Sequence, residues 1–271
     1  MEINMSKSRP PIPESIKRQV RQNSFFGCVI CGMPFYEYEH IEEYSVVQEH
    51  TVDNIILLCP NHHSSKTTHK LSKERLIHGQ KKPYNSQKPN TTPYKIEPSK
   101  KIDVNLGTNS CLGWDHAKYN EHHVIWINGQ SFFTLHSDDG WLSTSLRITD
   151  QNGVILLNVI QGELVVSTNI FDYTYEGNNI KIRDYSDKRI ILDIRIADNK
   201  VEIHQALFLH EGCDGFIIQQ GMLYTICDKN MRGMSMGSSC YYNQNGAWGI
   251  LNRKKYPKIT PPGGFGFFTS S

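Results

Sequence analysis

"NIILLCPNHHSSK", residues 54–66, decides how the front of this chain folds. Four apolar residues, Ile55 to Leu58, run into Cys59 and Pro60, and two adjacent histidines follow. The apolar run reads as a strand, and the histidines fall on the helix after it. Neighbouring side chains on a helix point about 100° apart, so His62 and His63 can hardly serve one centre together. Each needs its own task.

The first task comes from spacing. Cys28-x2-Cys31 and Cys59-x2-His62 are two pairs with 27 residues between them. Each pair can wrap a tight turn so that two donors converge. Cys28, Cys31, Cys59 and His62 together offer three thiolates and one imidazole, a closed tetrahedral set suited to structural Zn2+. A unit of about 55 residues has little core of its own, which makes a metal staple physically reasonable. The plainer reading, three reduced cysteines and a surface histidine, leaves the matched spacing unexplained.

That leaves His63. Upstream, Glu39-His40 precedes Ile41; Asn54 comes fourteen residues after His40, and His63 nine after that. A histidine, an asparagine and a histidine threaded between the halves of a zinc knuckle resemble the HNH nucleases. The resemblance covers Phe26 to Lys70. It implies a ββα-metal finger, two antiparallel strands and a helix around one divalent cation. It also implies roles: His40 as the general base on water, Glu39 and His63 as ligands of a catalytic Mg2+ or Mn2+, Asn54 as a brace for the loop that orients His40, and Lys66 as a phosphate contact. A neutral imidazole suits a base at neutral pH. The loop from Ile41 to Asp53 carries Glu42, Glu43 and Glu49, an acidic patch beside a phosphate site, and His50, read as an exposed loop residue.

The rest of the chain is framed by composition. Of 271 residues 38% are hydrophobic and 21% charged, enough for a core and unlike a disordered polymer. No run approaches the ~20 apolar residues of a membrane-spanning helix, and the N-terminus lacks a signal-like apolar stretch, so a cytoplasmic protein is expected. Residues 1–101 hold 15 Lys and Arg against 10 Asp and Glu, and the remainder 14 against 17. The basic half is therefore the one expected to meet DNA, through non-specific phosphate contacts that weaken with salt. Residues 10–22 read as a short basic helix. The four cysteines outside the knuckle read as buried small hydrophobes, and the odd total of seven argues against a disulfide framework.

Three segments follow: a nuclease domain with its basic helix over 1–79, a Pro- and Lys-rich linker over 80–101, and a β-rich domain over 102–271. Ser72 reads as the N-cap of a helix stopped by Gly79. Asn152-Gly153 between apolar runs signals a hairpin, and Ile190, Leu192, Ile194 and Ile196 share one strand face. The strands fit a twisted meander, a sandwich or a few solenoid rungs, with an antiparallel β domain favoured. The class is α+β. The wording of this half looks like β-rich accessory modules of bacterial defence-type nucleases, which implies sensing, assembly with itself or a partner, or target recognition. "WDH" at 114–116 is explained equally well by packing, and the glycine-rich end reads as an edge or tail. The expected activity is DNA phosphodiester hydrolysis, set against a zinc-knuckle binding module that does not cut.

Overall fold

The computed structural model describes residues 9–96, 99–111, 118–185, 187–197, 199–233, 239–240, 245–262 and 267–269. The "WDH" at 114–116 and most of the glycine-rich end lie outside them. The chain divides into two units, Met1–Gln87 and Lys88–Ser271.

In the first unit, α1 (Glu14–Asn23) leads through the cysteine turn to β1 (Glu37–His40). A one-turn helix, α2 (Tyr44–Val47), interrupts the loop before β2 (Ile55–Leu58). Then come α3 (Pro60–Thr67) and α4 (Lys73–Lys81). β1 and β2 pair antiparallel, with Glu39 opposite Ile56 and His40 opposite Ile55. Every residue of β2 is buried because both faces are covered. Ile55 and Leu57 pack with Val20 of α1, flanked by Ile12, Ile16 and Tyr38. Ile56 and Leu58 pack with Cys28, Val29, Ile41, Cys59 and Leu76. Each such side chain contributes about 1.5–3 kcal/mol through burial, so the strand is the spine of the unit.

Two expectations change on contact with the fold, and one side chain of the basic helix turns inward. Arg21 is 1% exposed and donates to Tyr38 Oη at 2.5 Å, tying α1 to β1. α4 runs two residues past Gly79, which packs instead of stopping. A Cβ there would lie 3.0 Å from Ile30 Cδ1 and 3.1 Å from Val29 Cγ2. Ser72 does cap α4, accepting from Arg75 N. The stretch 80–101 is divided between the units rather than left as a tether. Asn85 is fully buried and donates to Phe25 O and Gly32 O, at 3.2 and 3.0 Å, clamping the cysteine turn. In the second unit Thr91 Oγ1 accepts from Val166 N, and Tyr94–Lys95 pairs with Glu163–Val166.

The second unit is predominantly antiparallel β. One sheet is a meander in chain order through Asp172–Glu176, Asn179–Arg183, Ile190–Ala197, Lys200–His210, Asp214–Gln219, Met222–Cys227 and Asn230–Gly233. Leu192 and Ile194 are buried on one face, and Val201 and Ile203 answer them on the next strand. Another sheet contains Glu121–Ile127, Gln130–Asp138, Trp141–Thr149 and Ile155–Ile160, with Gly246–Asn252 parallel to the first of these. The Asn152-Gly153 turn joins two of its strands. Asp150 Oδ1 accepts from Asn152 N and Val154 N, and Gly153 takes the positive φ of +81° that closes the turn. The architecture is α+β. Among the described residues no helix is long and apolar enough to cross a membrane.

Candidate functional site

The knuckle forms as its spacing requires. Gly32 N donates to Cys28 O at 2.7 Å and Cys28 N to Met33 O at 2.9 Å, and Gly32 takes φ +79°. This turn brings Cys28 and Cys31 together. Cys59 is the N-cap of α3, with Pro60 in its first turn, so His62 comes round to the same point. The four ligand atoms lie within 4.8 Å of one another. His62 Nδ1 is 3.5 Å from Cys28 Sγ and 3.2 Å from Cys59 Sγ, and Cys31 Sγ is 3.7 Å from Cys59 Sγ. A tetrahedral zinc ion needs edges of about 3.8 Å between sulfurs and about 3.5 Å from sulfur to nitrogen. The donor set fits, and it points to zinc.

Cys28 is pushed down to about 5 by its hydrogen bond with Cys31, and that bond raises Cys31. Burial raises Cys59. Thiolates are the ligands of zinc, so its binding releases the protons these thiols keep.

His63 turns the other way. Its Nε2 is 2.8 Å from Glu39 Oε2 on β1, and its Nδ1 is 3.5 Å from Glu37 Oε2. Two cis ligands of an octahedral Mg2+ stand about 3 Å apart, so the Glu39–His63 edge has the right length and the right donors. Lys66, one turn further along α3, sends its ammonium to Glu39 Oε1 at 2.6 Å and also to Glu43. Burial works against its charge, but the two carboxylates outweigh that and raise its pKa. Lys66 therefore reaches a phosphate only by giving up these pairs. Glu42 is likewise paired, with Lys73. Two carboxylates of the acidic loop are thus answered by lysines from α3 and the start of α4.

His40 closes β1 and is 3% exposed. Burial lowers its pKa first, helped by the charges of Arg9 and His50, so it is neutral at pH 7. Glu39 and Glu43 stand near enough to His40 to oppose that lowering, but burial prevails. Asn54 holds the loop just beyond. Its Oδ1 accepts from Glu42 N at 2.7 Å, its Nδ2 donates to Glu42 O at 3.0 Å, and its own carbonyl accepts from Ile41 N at 2.8 Å.

Two residues touch His40 that the sequence did not connect with it. His50 is half-buried, 3.1 Å from His40 Nε2 and stacked on Tyr44 at 4.7 Å, rather than an exposed loop histidine. Arg9 places Nη2 2.7 Å from His40 Nδ1. Neither sits at a recognisable spacing from His40, so only folding reveals them. In the second unit Cys111 and Cys227 are buried, as expected of small hydrophobes, whereas Cys213 is only partly buried; Cys111 Sγ lies 3.2 Å from His122 Nε2.

No curated protein and no solved structure matches the chain. Residues 28–69 match the family model of the HNH endonucleases. The match begins at the first knuckle cysteine and ends just past α3, taking in the three cysteines and His62, the Glu39–His63 contact and the β1–β2 pair. The N-terminal unit therefore carries an HNH endonuclease-family domain, and the β-rich unit that follows is unclassified.

Proposed function

We propose that the chain is a metal-dependent endonuclease that hydrolyses DNA phosphodiester bonds, with His40 as general base and Asn54 as the brace of its loop. The observation that carries this reading is the 2.8 Å approach of His63 to Glu39 beside a buried, neutral His40. A divalent cation held by Glu39 and His63, Mg2+ or Mn2+, supplies charge stabilisation for the attacked phosphate and the departing oxygen. His40 takes a proton from water at Nδ1. The water oxygen bonds to phosphorus, the bond from phosphorus to the 3′-oxygen breaks, and that oxygen leaves with a proton from solvent. Lys66 keeps Glu39 turned toward His63 by holding its other oxygen, and its reach to phosphate is secondary.

The β-rich unit, net −3 from residue 102 on, is poorly suited to broad DNA contact, which supports a role in sensing or assembly. We place that role in bacterial or phage nucleic-acid defence, with a homo-oligomer as the form to look for by light scattering of the full chain. The nuclease reading is tested by plasmid incubation with Mg2+ or Mn2+ beside a His40→Ala control. Nicking by the parent alone is expected; equal nicking by both proteins rejects it.

A further inference from the structure

His40 belongs to a chain of hydrogen bonds whose direction is fixed at both ends. Arg9 Nη2 lies 2.7 Å from His40 Nδ1, His40 Nε2 lies 3.1 Å from His50 Nδ1, and His50 Nε2 lies 2.9 Å from Pro10 O. A guanidinium only donates and a carbonyl oxygen only accepts. His40 Nδ1 must therefore accept from Arg9, which puts the His40 proton on Nε2. That proton goes to His50 Nδ1, and His50 carries its own proton on Nε2, facing Pro10. The opposite sense fails at both ends.

Packing holds this order in place. His50 stacks on Tyr44 at 4.7 Å with the rings 28° apart. Tyr44 meets His40 edge-on at 5.6 Å, and the Arg9 guanidinium lies 5.0 Å from the Tyr44 ring centre. His50 thus cannot turn without losing the stack and both hydrogen bonds.

We propose that His50 is a positioning residue for the reaction, locking His40 in the tautomer whose lone pair at Nδ1 receives the proton of water. This rests on the nuclease reading above. A free imidazole exchanges its proton between two nitrogens, and only one tautomer offers a lone pair at a given nitrogen. By accepting from Nε2–H, His50 commits the ring. Once Nδ1 is protonated, Nε2–H still points to the same acceptor, so the ring keeps its orientation through the step. The guanidinium of exposed Arg9 stands where that water must stand, so it leaves Nδ1 when substrate enters.

The test uses the full-length, zinc-loaded chain and two variants. His50→Phe keeps a ring to stack on Tyr44 but has no acceptor. His50→Gln restores one acceptor and one donor without the ring. The first readout needs neither DNA nor catalytic cation: nitrogen–proton correlation of the His40 ring. Read on an Arg9→Met background, which takes the guanidinium off Nδ1, the Nε2–H tautomer is expected with His50 or Gln at position 50, and a mixture with Phe. The second readout is the KM against kcat split with plasmid DNA and Mn2+. His50→Phe is expected to lower kcat by about 10- to 100-fold, the size usual for supporting partners of a reactive histidine, with KM unchanged. His50→Gln recovers most of it. A cleaving parent whose His40 tautomer and kcat are untouched in the Phe variant overturns the role of His50 alone. So does a Gln variant as slow as the Phe variant. A parent with the Nε2–H tautomer that does not cut overturns the nuclease reading, and with it the base that His50 positions.

Discussion

Replacing Asn54 by Ala removes two opposed hydrogen bonds to one residue, Glu42, two positions beyond His40, the proposed general base. Each such bond contributes about 0.5–1.5 kcal/mol net, so the pair is worth about 1–3 kcal/mol. The backbone bond from Ile41 N to Asn54 O survives, so the strand pair stays closed and the loss falls on the loop that follows His40. If that loss appears wholly as misplacement of His40, kcat drops by about 5- to 150-fold. Asn54→Asp keeps the acceptor for Glu42 N but turns a second oxygen toward the Glu42 carbonyl, so it does no better than Ala. The assay is plasmid nicking at saturating DNA and Mn2+, with zinc content and melting temperature measured in parallel. An Ala variant within twofold of the parent in kcat, or an Asp variant equal to the parent, refutes the bracing argument. So does a loss confined to KM.

Zinc should copurify at one per chain, and a strong chelator should unfold the N-terminal unit while leaving the melting transition of the β-rich unit in place; calorimetry showing both transitions unchanged after chelation contradicts a structural ion. Leu57→Ala, at a fully buried site in the α1-facing core, should cost about 2–5 kcal/mol in denaturant unfolding of the N-terminal unit, and a loss under about 1 kcal/mol means that β2 is not its spine. In the β-rich unit Glu211 is drawn down to about 2 by its hydrogen bonds with Lys255 and Tyr256. A depressed folded-state value means stability that is present above the ordinary carboxylate pKa of about 4.3 and lost as pH falls toward 2. Glu211→Gln should therefore lower the melting temperature slightly at pH 7 and not at pH 2. The shift should be small because the pair is exposed, and an equal shift at both pH values rules out the ion pair as its source.

The Cys28, Cys31, Cys59 and His62 cluster and the different facings of His62 and His63 were legible in the sequence because they follow from local geometry. Two residues between donors make a turn, and a step of one residue along a helix makes a rotation of about 100°. The apolar run Ile55–Leu58 announced a strand, and the alternation around Ile190–Ile196 and the Asn152-Gly153 turn announced an antiparallel sheet. What covered β2, and what touched His40, was decided only in three dimensions. Nothing in the sequence marks Arg21 for the interior, where α1 lays it against Tyr38, and Asn85 looked like linker until it reached back to the cysteine turn. Arg9 and His50 flank His40 from 31 positions before it and 10 after, with the chain turning through a one-turn helix in between. Spacing constrains residues that share an element, because the backbone repeat sets where their side chains point. It says nothing of residues that meet when separate elements pack, and there the tautomer of His40 is chosen.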